Sequence, residues 1–321
     1  MSINAEPKPV LQEYEDFAKN RDIKNASILT FDAPDGKDVY NPSAPFTSNG
    51  KEIIAGRVQA RNGSDCVTMF FTRDGDIYKP IANAPILPLE DPFVCHINGE
   101  IVLGGMHVEY DDAGAASWRA HFYKGTDIYN LKEFAKGPAH TKGLRLDIRL
   151  LELPSGQIAV CTRPQGDLFF QKHGCMAKIG FTVLPSLSDF NAEAAEKAPF
   201  IQDIFLPDEW GGVNELHNLP NGKIGAIGHK SYMDVRDGVT HIHYYTIAFT
   251  ICPDTLETGI VKVICSRDCF AGQESREPRL YNVTFPAGIT QTNTDDRVQI
   301  YVGISDCKVG TANIPNPFNK S

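Results

Sequence analysis

The chain has 321 residues, 42% hydrophobic and 22% charged, the composition of a globular protein with a real core. Its net charge of −9 comes without a basic tail or stripe, which argues against nucleic acid or an anionic membrane as partner. No run of about 18 apolar residues is present to span a bilayer, so no membrane association is expected.

The stretch Met1–Asn20 is polar, with Glu6, Lys8, Glu13, Glu15, Asp16 and Lys19, and it lacks the apolar segment of a secretory signal. Residues 1–25 therefore read as an N-terminal extension, with a short helix over Leu11–Lys19. Residues 26–321 read as one all-β domain built from a repeated two-strand unit. In each copy a polar residue opens a strand, a turn ending in Gly follows, and seven residues after that Gly comes a chemically distinctive side chain. The first copy runs from Asn41 through Asn49-Gly50 to Arg57, followed by a strand over Cys66–Thr72. The second runs from Asp91 through Asn98-Gly99 to Met106, beside His107, followed by Trp118–Tyr123. The third runs from Arg149 (or Arg145) through Ser155-Gly156 to Arg163, followed by Ala177–Val183 and a short helical stretch over Ser188–Lys197. The fourth runs from Glu215 through Asn221-Gly222 to His229, followed by the long strand His241–Ile251. The last is looser: Asn282, a turn at Asp295-Asp296, then Tyr301–Asp306. Five copies predict a five-bladed β-propeller with a central active-site pocket, where the inner strand starts converge. The strand Ala26–Thr30 is expected to complete the last blade and close the ring.

Eight cysteines are scattered, several inside apolar runs such as Ala159-Val160-Cys161. They read as free thiols in a reducing, cytoplasmic setting. Cys265 and Cys269 lack the second Cys or His pair that a zinc spacing needs, so no metal is expected, and no other cofactor.

A charge buried where a ring of sheets converges costs free energy unless it is paired or used. Polar residues at one register of every copy therefore point to a shared site. In Glu90-Asp91-Pro92 the proline is expected to hold Asp91 extended at its strand start. A carboxyl held there can donate a proton to a glycosidic oxygen if its pKa is raised. Arg145, Arg149, Arg163, His229, Lys230 and the pair Tyr244-Tyr245 form a cationic, hydrogen-bonding set. In an acidic protein such a set suits an anion, because guanidinium forks match phosphate oxygens. The plainer alternative is pairing with Glu90, Asp147 or Glu215.

These residues carry a resemblance. Glu90-Asp91-Pro92, Arg163-Pro164, Gly228-His229, Asn282 to Gly288 and Asp296 to Asp306 resemble the five-bladed mannoside phosphorylases of glycoside hydrolase family 130. Phe93 stands where those enzymes usually carry Arg, and Lys230 where they carry Gly. The pattern is closer to the mannosyltransferase/phosphorylases of glycosyltransferase family 108, long described as a domain of unknown function, which act on β-1,2-mannan. The resemblance implies Asp91 as general acid, with Asn41, Arg57, Glu90 and Asp306 holding the sugar. It implies Arg145 or Arg149, Arg163, His229 and Tyr245 (Tyr244 being the other choice) as phosphate ligands, and Lys230, a departure from the pattern, is expected beside them as part of the cationic set. The implied partners are mannose 1-phosphate, inorganic phosphate and manno-oligosaccharides, with GDP-mannose as a further donor.

The chemistry of a phosphorylase fits this set. An inverting hydrolase needs two carboxylates about 6.5–9.5 Å apart, one of them activating water. Phosphate is already a nucleophile, so a cationic cradle replaces the second carboxylate. Two other readings stand beside this one: a propeller glycosidase of arabinan or fructan type with Glu215 as base, and a non-catalytic sugar-binding propeller.

Overall fold

The computed structural model describes residues 6–110, 116–141, 145–294 and 296–319, the side chains of 110, 140, 141 and 145 excepted. Alternating apolar residues and tight turns make antiparallel sheet its dominant structure. The turns Asn49-Gly50 (φ 49° and 71°) and Asn98-Gly99 (φ 53° and 75°) are left-handed at both positions, the geometry that matches strand twist in a two-residue hairpin.

The strands form sheets of nine, five, three and four strands. Half of the largest runs Thr284–Gln291, Arg297–Ile304, Lys308–Pro315 and Lys24–Phe31. The other half runs Ile77–Pro80, Cys66–Asp74, Lys51–Gln59 and Asp38–Tyr40, with Phe46–Ser48 also on Lys51–Gln59. The halves meet at a parallel contact of Thr30 with Ile77 and Phe31 with Tyr78. The next sheet holds Glu90–Ile97, Glu100–Tyr110, Ala116–Gly125 and Lys132–Lys136, with His140–Thr141 beside the third. Arg145–Glu152, Ile158–Gln165 and Gly180–Leu184 form the three-stranded sheet. Trp210–Asn218, Ile224–Arg236, Val239–Ile251 and Lys262–Cys265 form the four-stranded one. The strand Lys24–Phe31 pairs antiparallel with Lys308–Pro315, so residues near both ends of the chain share one sheet.

Apolar side chains fill the spaces between successive sheets. Ile53 and Phe70 meet Ile101 and Leu103. Phe93 and Phe122 meet Ile148 and Val160. Cys161 and Phe181 meet Val213 and Ile247. Ile227 and Ala248 meet Ile289 and Ile300. Val309 returns to Ile54 and Phe71. Each fully buried side chain of this size contributes about 1.5–3 kcal/mol. The last contact leads back to the first sheet, so the sheets are wedged around a ring.

Helical segments are short. Asp167–His173 follows Ile158–Gln165, and the stretch expected over Ser188–Lys197 is a 3₁₀ turn at Leu187–Asp189 and a helix at Ala192–Glu196. No helix among the described residues is long and apolar enough to cross a membrane. The helix Val10–Lys19 packs on the four-stranded sheet through Lys230. Lys230 is fully buried, and its Nζ reaches Lys8 O at 2.6 Å, Glu13 Oε1 at 3.1 Å and Glu209 Oε2 at 3.3 Å. Glu209 Oε1 also accepts from Val10 N at 2.6 Å. Burial lifts the Glu13 carboxyl to about 7 against the pull of the Lys230 charge. Lys230 is thus a latch for the N-terminal segment, and the expectation of a phosphate ligand there is corrected. Removing one partner of a buried ionic cluster leaves the others uncompensated, at a cost of about 3–5 kcal/mol. Lys230→Ala should lose stability of that order in urea denaturation at neutral pH.

Candidate active site

One cavity of about 330 Å³ is lined from every sheet, by Asn41, Arg57, Asp91, Asp147, His229 and Asp306 among others. The residues seven after each turn glycine, Arg57, Met106, Arg163 and His229, all reach it. Strand spacing from a common turn has carried four different side chains to one place.

At one end three residues at or beside strand ends adopt left-handed backbone. Asn41, Asp91 and Asp306 have φ of 40°, 49° and 51°. Short polar side chains tolerate this region best, and strain of this kind collects at functional sites. Asp91 was expected to be extended. The register slips between Glu90, opposite Met106, and Phe93, opposite Gly104. This bulge outweighs the preference set by Pro92 and turns Asp91 out of the ladder into the cavity. Asn41 Nδ2 donates to Asp91 Oδ1 at 3.0 Å and stands 3.5 Å from Asp306 Oδ1. Gly303 permits this: a Cβ there would lie 2.0 Å from Asn41 Oδ1. Arg57 forks between Asp91 (3.1 Å), Glu90 (3.3 Å) and Gln59 (3.1 Å), over the Tyr40 ring. Burial opposes the Arg57 charge, but the two carboxylates outweigh it and raise its pKa. Burial, then the Asp91 charge, pushes the Asp306 carboxyl up to about 6.

The other end is cationic and aromatic. Arg163 is paired with Asp147. Burial works to raise the Asp147 pKa, but the Arg163 and Arg149 charges hold it down at about 2. His229 is buried, with Nδ1 2.8 Å from Asn214 Oδ1 and its ring stacked on Tyr244 at 5.1 Å. Burial and the Arg163 charge push its pKa well below the usual value, so the ring is neutral. With Nδ1–H given to Asn214, Nε2 carries the lone pair. His229 Nε2 and Arg163 Nε are buried without a hydrogen-bond partner among the described residues. Trp210 Nε1 donates to the Tyr244 hydroxyl at 2.9 Å, which leaves the phenolic proton free to point elsewhere.

Strand alternation decides between neighbours. His229 and Tyr244 share one face of their strand pair, and Lys230 and Tyr245, directly opposite each other, share the other. Tyr245 packs its ring 4.8 Å from that of Tyr14, tilted, and accepts from Asn282 Nδ2 at 3.1 Å, away from the cavity. Tyr244 is therefore the cavity tyrosine, a correction to the expectation of Tyr245. Arg149 is corrected also. Its guanidinium lies over Phe93 and donates to Asn214 O at 3.1 Å and Ile148 O at 3.0 Å. It braces the Asn214 that orients His229 rather than facing the cavity. The Arg145 side chain lies outside the described residues. Glu215 points to a different cavity, accepting from Ile289 N at 2.8 Å and facing His217 Nε2 at 2.6 Å. Asp147 was read only as a salt-bridge partner. Its signal was present: it precedes Ser155 by eight residues, as Asn41 precedes Asn49.

Residues 15–320 match a family described as "Protein of unknown function (DUF1861)". A mannose phosphorylase from Leishmania mexicana, MPT-4, solved with a phosphate ion, superposes with a TM-score of 0.88. It is 34% identical, over 97% of this chain and 94% of that one. MPT-1, a GDP-Man-dependent mannosyltransferase from the same organism, has a TM-score of 0.86 and 32% identity, over 97% of this chain and 95% of that one. The chain belongs to this family of mannosyltransferases and phosphorylases. It is accordingly an enzyme of the glycosyltransferase/phosphorylase class. No protein with a curated description matches the sequence. An α-L-arabinanase from Penicillium chrysogenum, 10% identical with a TM-score of 0.56 over 92% of this chain and 98% of that one, shares the fold alone.

Asp306 gives this family member a measurable signature. Its raised pKa stabilises the protonated form in the fold, so its contribution is complete below about pH 4 and lost as pH rises through about 6. Asp306→Asn should be more stable than the parent at pH 7, by on the order of 2–3 kcal/mol, and should gain nothing at pH 4. Urea midpoints at the two pH values check it.

Proposed function

We propose that the enzyme is an inverting β-mannoside phosphorylase and mannosyltransferase, acting on β-1,2-linked mannosides in a five-bladed propeller. Mannose 1-phosphate is the donor in synthesis, and the same cradle would take the phosphates of GDP-mannose, the donor of one relative. The carrying observation is the pairing, in one cavity, of a carboxyl end with a cationic end whose Arg163 Nε and His229 Nε2 are buried without hydrogen-bond partners among the described residues.

In phosphorolysis a phosphate oxygen attacks the anomeric carbon from the face opposite the glycosidic oxygen. The glycosidic bond breaks, its electron pair goes to the leaving oxygen, and Asp91, protonated in the substrate complex, gives that oxygen its proton and is left as the carboxylate paired with Arg57. A β-mannoside gives α-mannose 1-phosphate and a chain shortened by one sugar. Asn41, Arg57, Glu90 and Asp306 hold the sugar at the cleaved bond. Arg163 and the Tyr244 hydroxyl donate to phosphate oxygens, and neutral His229 accepts from the P–OH of monohydrogen phosphate. Hydrolysis is disfavoured on geometry. Glu215 faces another cavity, and Asp147, held at about 2 by its arginines, is a weak base.

With mannose 1-phosphate and mannose, the enzyme should release inorganic phosphate as oligosaccharides grow, and Asp91→Asn should abolish both. Turnover of mannosides in phosphate-free buffer, with no phosphate released in the first assay, would reject the proposal. A hydrogen bond to a charged group contributes about 1.5–3 kcal/mol. Tyr244→Phe should therefore raise KM for phosphate by about 10- to 100-fold, whereas Tyr245→Phe should leave it within about twofold. Steady-state phosphorolysis over a phosphate series separates the two.

A further inference from the structure

A second polar cluster stands on the sheet of Glu100–Tyr110 and Ala116–Gly125, apart from the groups assigned above. His107 and Glu109 lie two apart on one strand, and His121 lies on the next, opposite Gly105. The side-chain period of two puts all three on one sheet face. Met106 and Trp118, which line the active cavity, occupy the alternate positions and belong to the other face. One donor atom from each of His107, Glu109 and His121 lies within 4.8 Å of the other two.

The hydrogen bonding is informative. Nδ1 of His121, which is 2% exposed, stands 2.7 Å from Glu133 Oε2, and its Nε2 stands 3.2 Å from Glu109 Oε1. A neutral His121 that donates Nδ1–H to Glu133 aims the Nε2 lone pair at a carboxylate, two acceptors face to face. Beside them, His107 Nδ1 is buried with no hydrogen-bond partner among the described residues, in a ring 4.7 Å from that of His121. An imidazolium at His121 would satisfy both glutamates but leave His107 Nδ1 orphaned. A small divalent cation between the three groups satisfies all of them at once. A carboxylate on the far nitrogen of a ligating histidine, as Glu133 is here, fixes the tautomer and strengthens the ligand. Two cations neighbour the cluster: Lys136 Nζ is 3.4 Å from Glu133 Oε1 and 3.8 Å from Glu109 Oε1, and Arg119 Nε is 3.9 Å from Glu109 Oε2, each on a chain long enough to swing aside.

We propose that His107, Glu109 and His121 form a binding site for a divalent transition-metal ion, with Glu133 orienting His121. Two imidazoles and one carboxylate suit Zn²⁺, with a fourth position left for water. The ion would pin together the two strands whose opposite faces present Met106 and Trp118 to the cavity. The sequence spacing does not announce this site, because its ligands come from two different strands that only the sheet pairing brings together.

The test is titration of chelator-treated protein with Zn²⁺ by calorimetry and with Co²⁺ by visible absorption. One equivalent of Zn²⁺ should bind at micromolar concentration. Co²⁺ should give the ligand-field bands of nitrogen and oxygen ligation without thiolate charge transfer. His107→Gln and Glu109→Gln, checked for folding by circular dichroism, should each weaken binding at least tenfold. Glu133→Gln should weaken it by about 10- to 100-fold. Zn²⁺ should raise the melting temperature of the parent and not of the double variant His107→Gln/Glu109→Gln. No stoichiometric uptake, equal uptake by the double variant, or a thiolate signature from the eight cysteines would each overturn the site.

Discussion

Everything at the centre of this protein depends on Arg57 being shared. One guanidinium, 14% exposed, serves Asp91, Glu90 and the Gln59 amide. Removing two carboxylates and a cation from water costs several kcal/mol per ion, repaid only when geometry and hydrogen bonding are close to complete. The left-handed backbone at Asn41, Asp91 and Asp306 follows from that demand, because it carries each short side chain inward to the shared network. Burial and strain are accepted here so that carboxylates and a guanidinium stay fixed in a partly enclosed site, where electrostatic interactions are stronger than in water.

The two ends of the cavity answer the same problem oppositely. At the Arg57 end negative groups outnumber the cation, and the excess shows in Asp306, whose carboxyl is pushed up to about 6 and takes a proton on mild acidification. At the Arg163 end Asp147 stays ionised and His229 stays neutral, so that end carries less net positive charge than its residue types suggest. Under the proposed function, a phosphate would meet one guanidinium already balanced by Asp147, aromatic rings and open hydrogen-bonding positions, rather than bare positive charge. Such a site discriminates by geometry more than by Coulomb attraction.

Much of this was legible in the sequence, and the reasons for the rest are specific. Turn-to-residue spacing placed Arg57, Met106, Arg163 and His229 correctly because a hairpin converts a residue count into a position in space. Counting stops short of which neighbour faces inward. The pairs His229/Lys230 and Tyr244/Tyr245 each offer two suitable side chains, and only the pairing register assigns the faces. Arg149 looked like an anion ligand because its charge is visible in sequence and its ring neighbour Phe93 is not. Asp147 was overlooked because a carboxylate among arginines reads as a partner, although its spacing matched the other strand starts. The bulge at Asp91 was hidden behind a proline whose local preference pointed the other way.

The pairing of Lys24–Phe31 with Lys308–Pro315 has a consequence for how the molecule comes to exist. A strand translated early has its antiparallel partner nearly three hundred residues later. Until that partner leaves the ribosome, the early strand has only its short parallel contact with Ile77 and Tyr78, and its other edge must stay unpaired or find a temporary cover. The intervening sheets can assemble as they emerge, each against its predecessor, but the circle waits for its final segment. Loop closure over such a distance is entropically slow. The same seam, being the last to form, is where the native ring would first come apart.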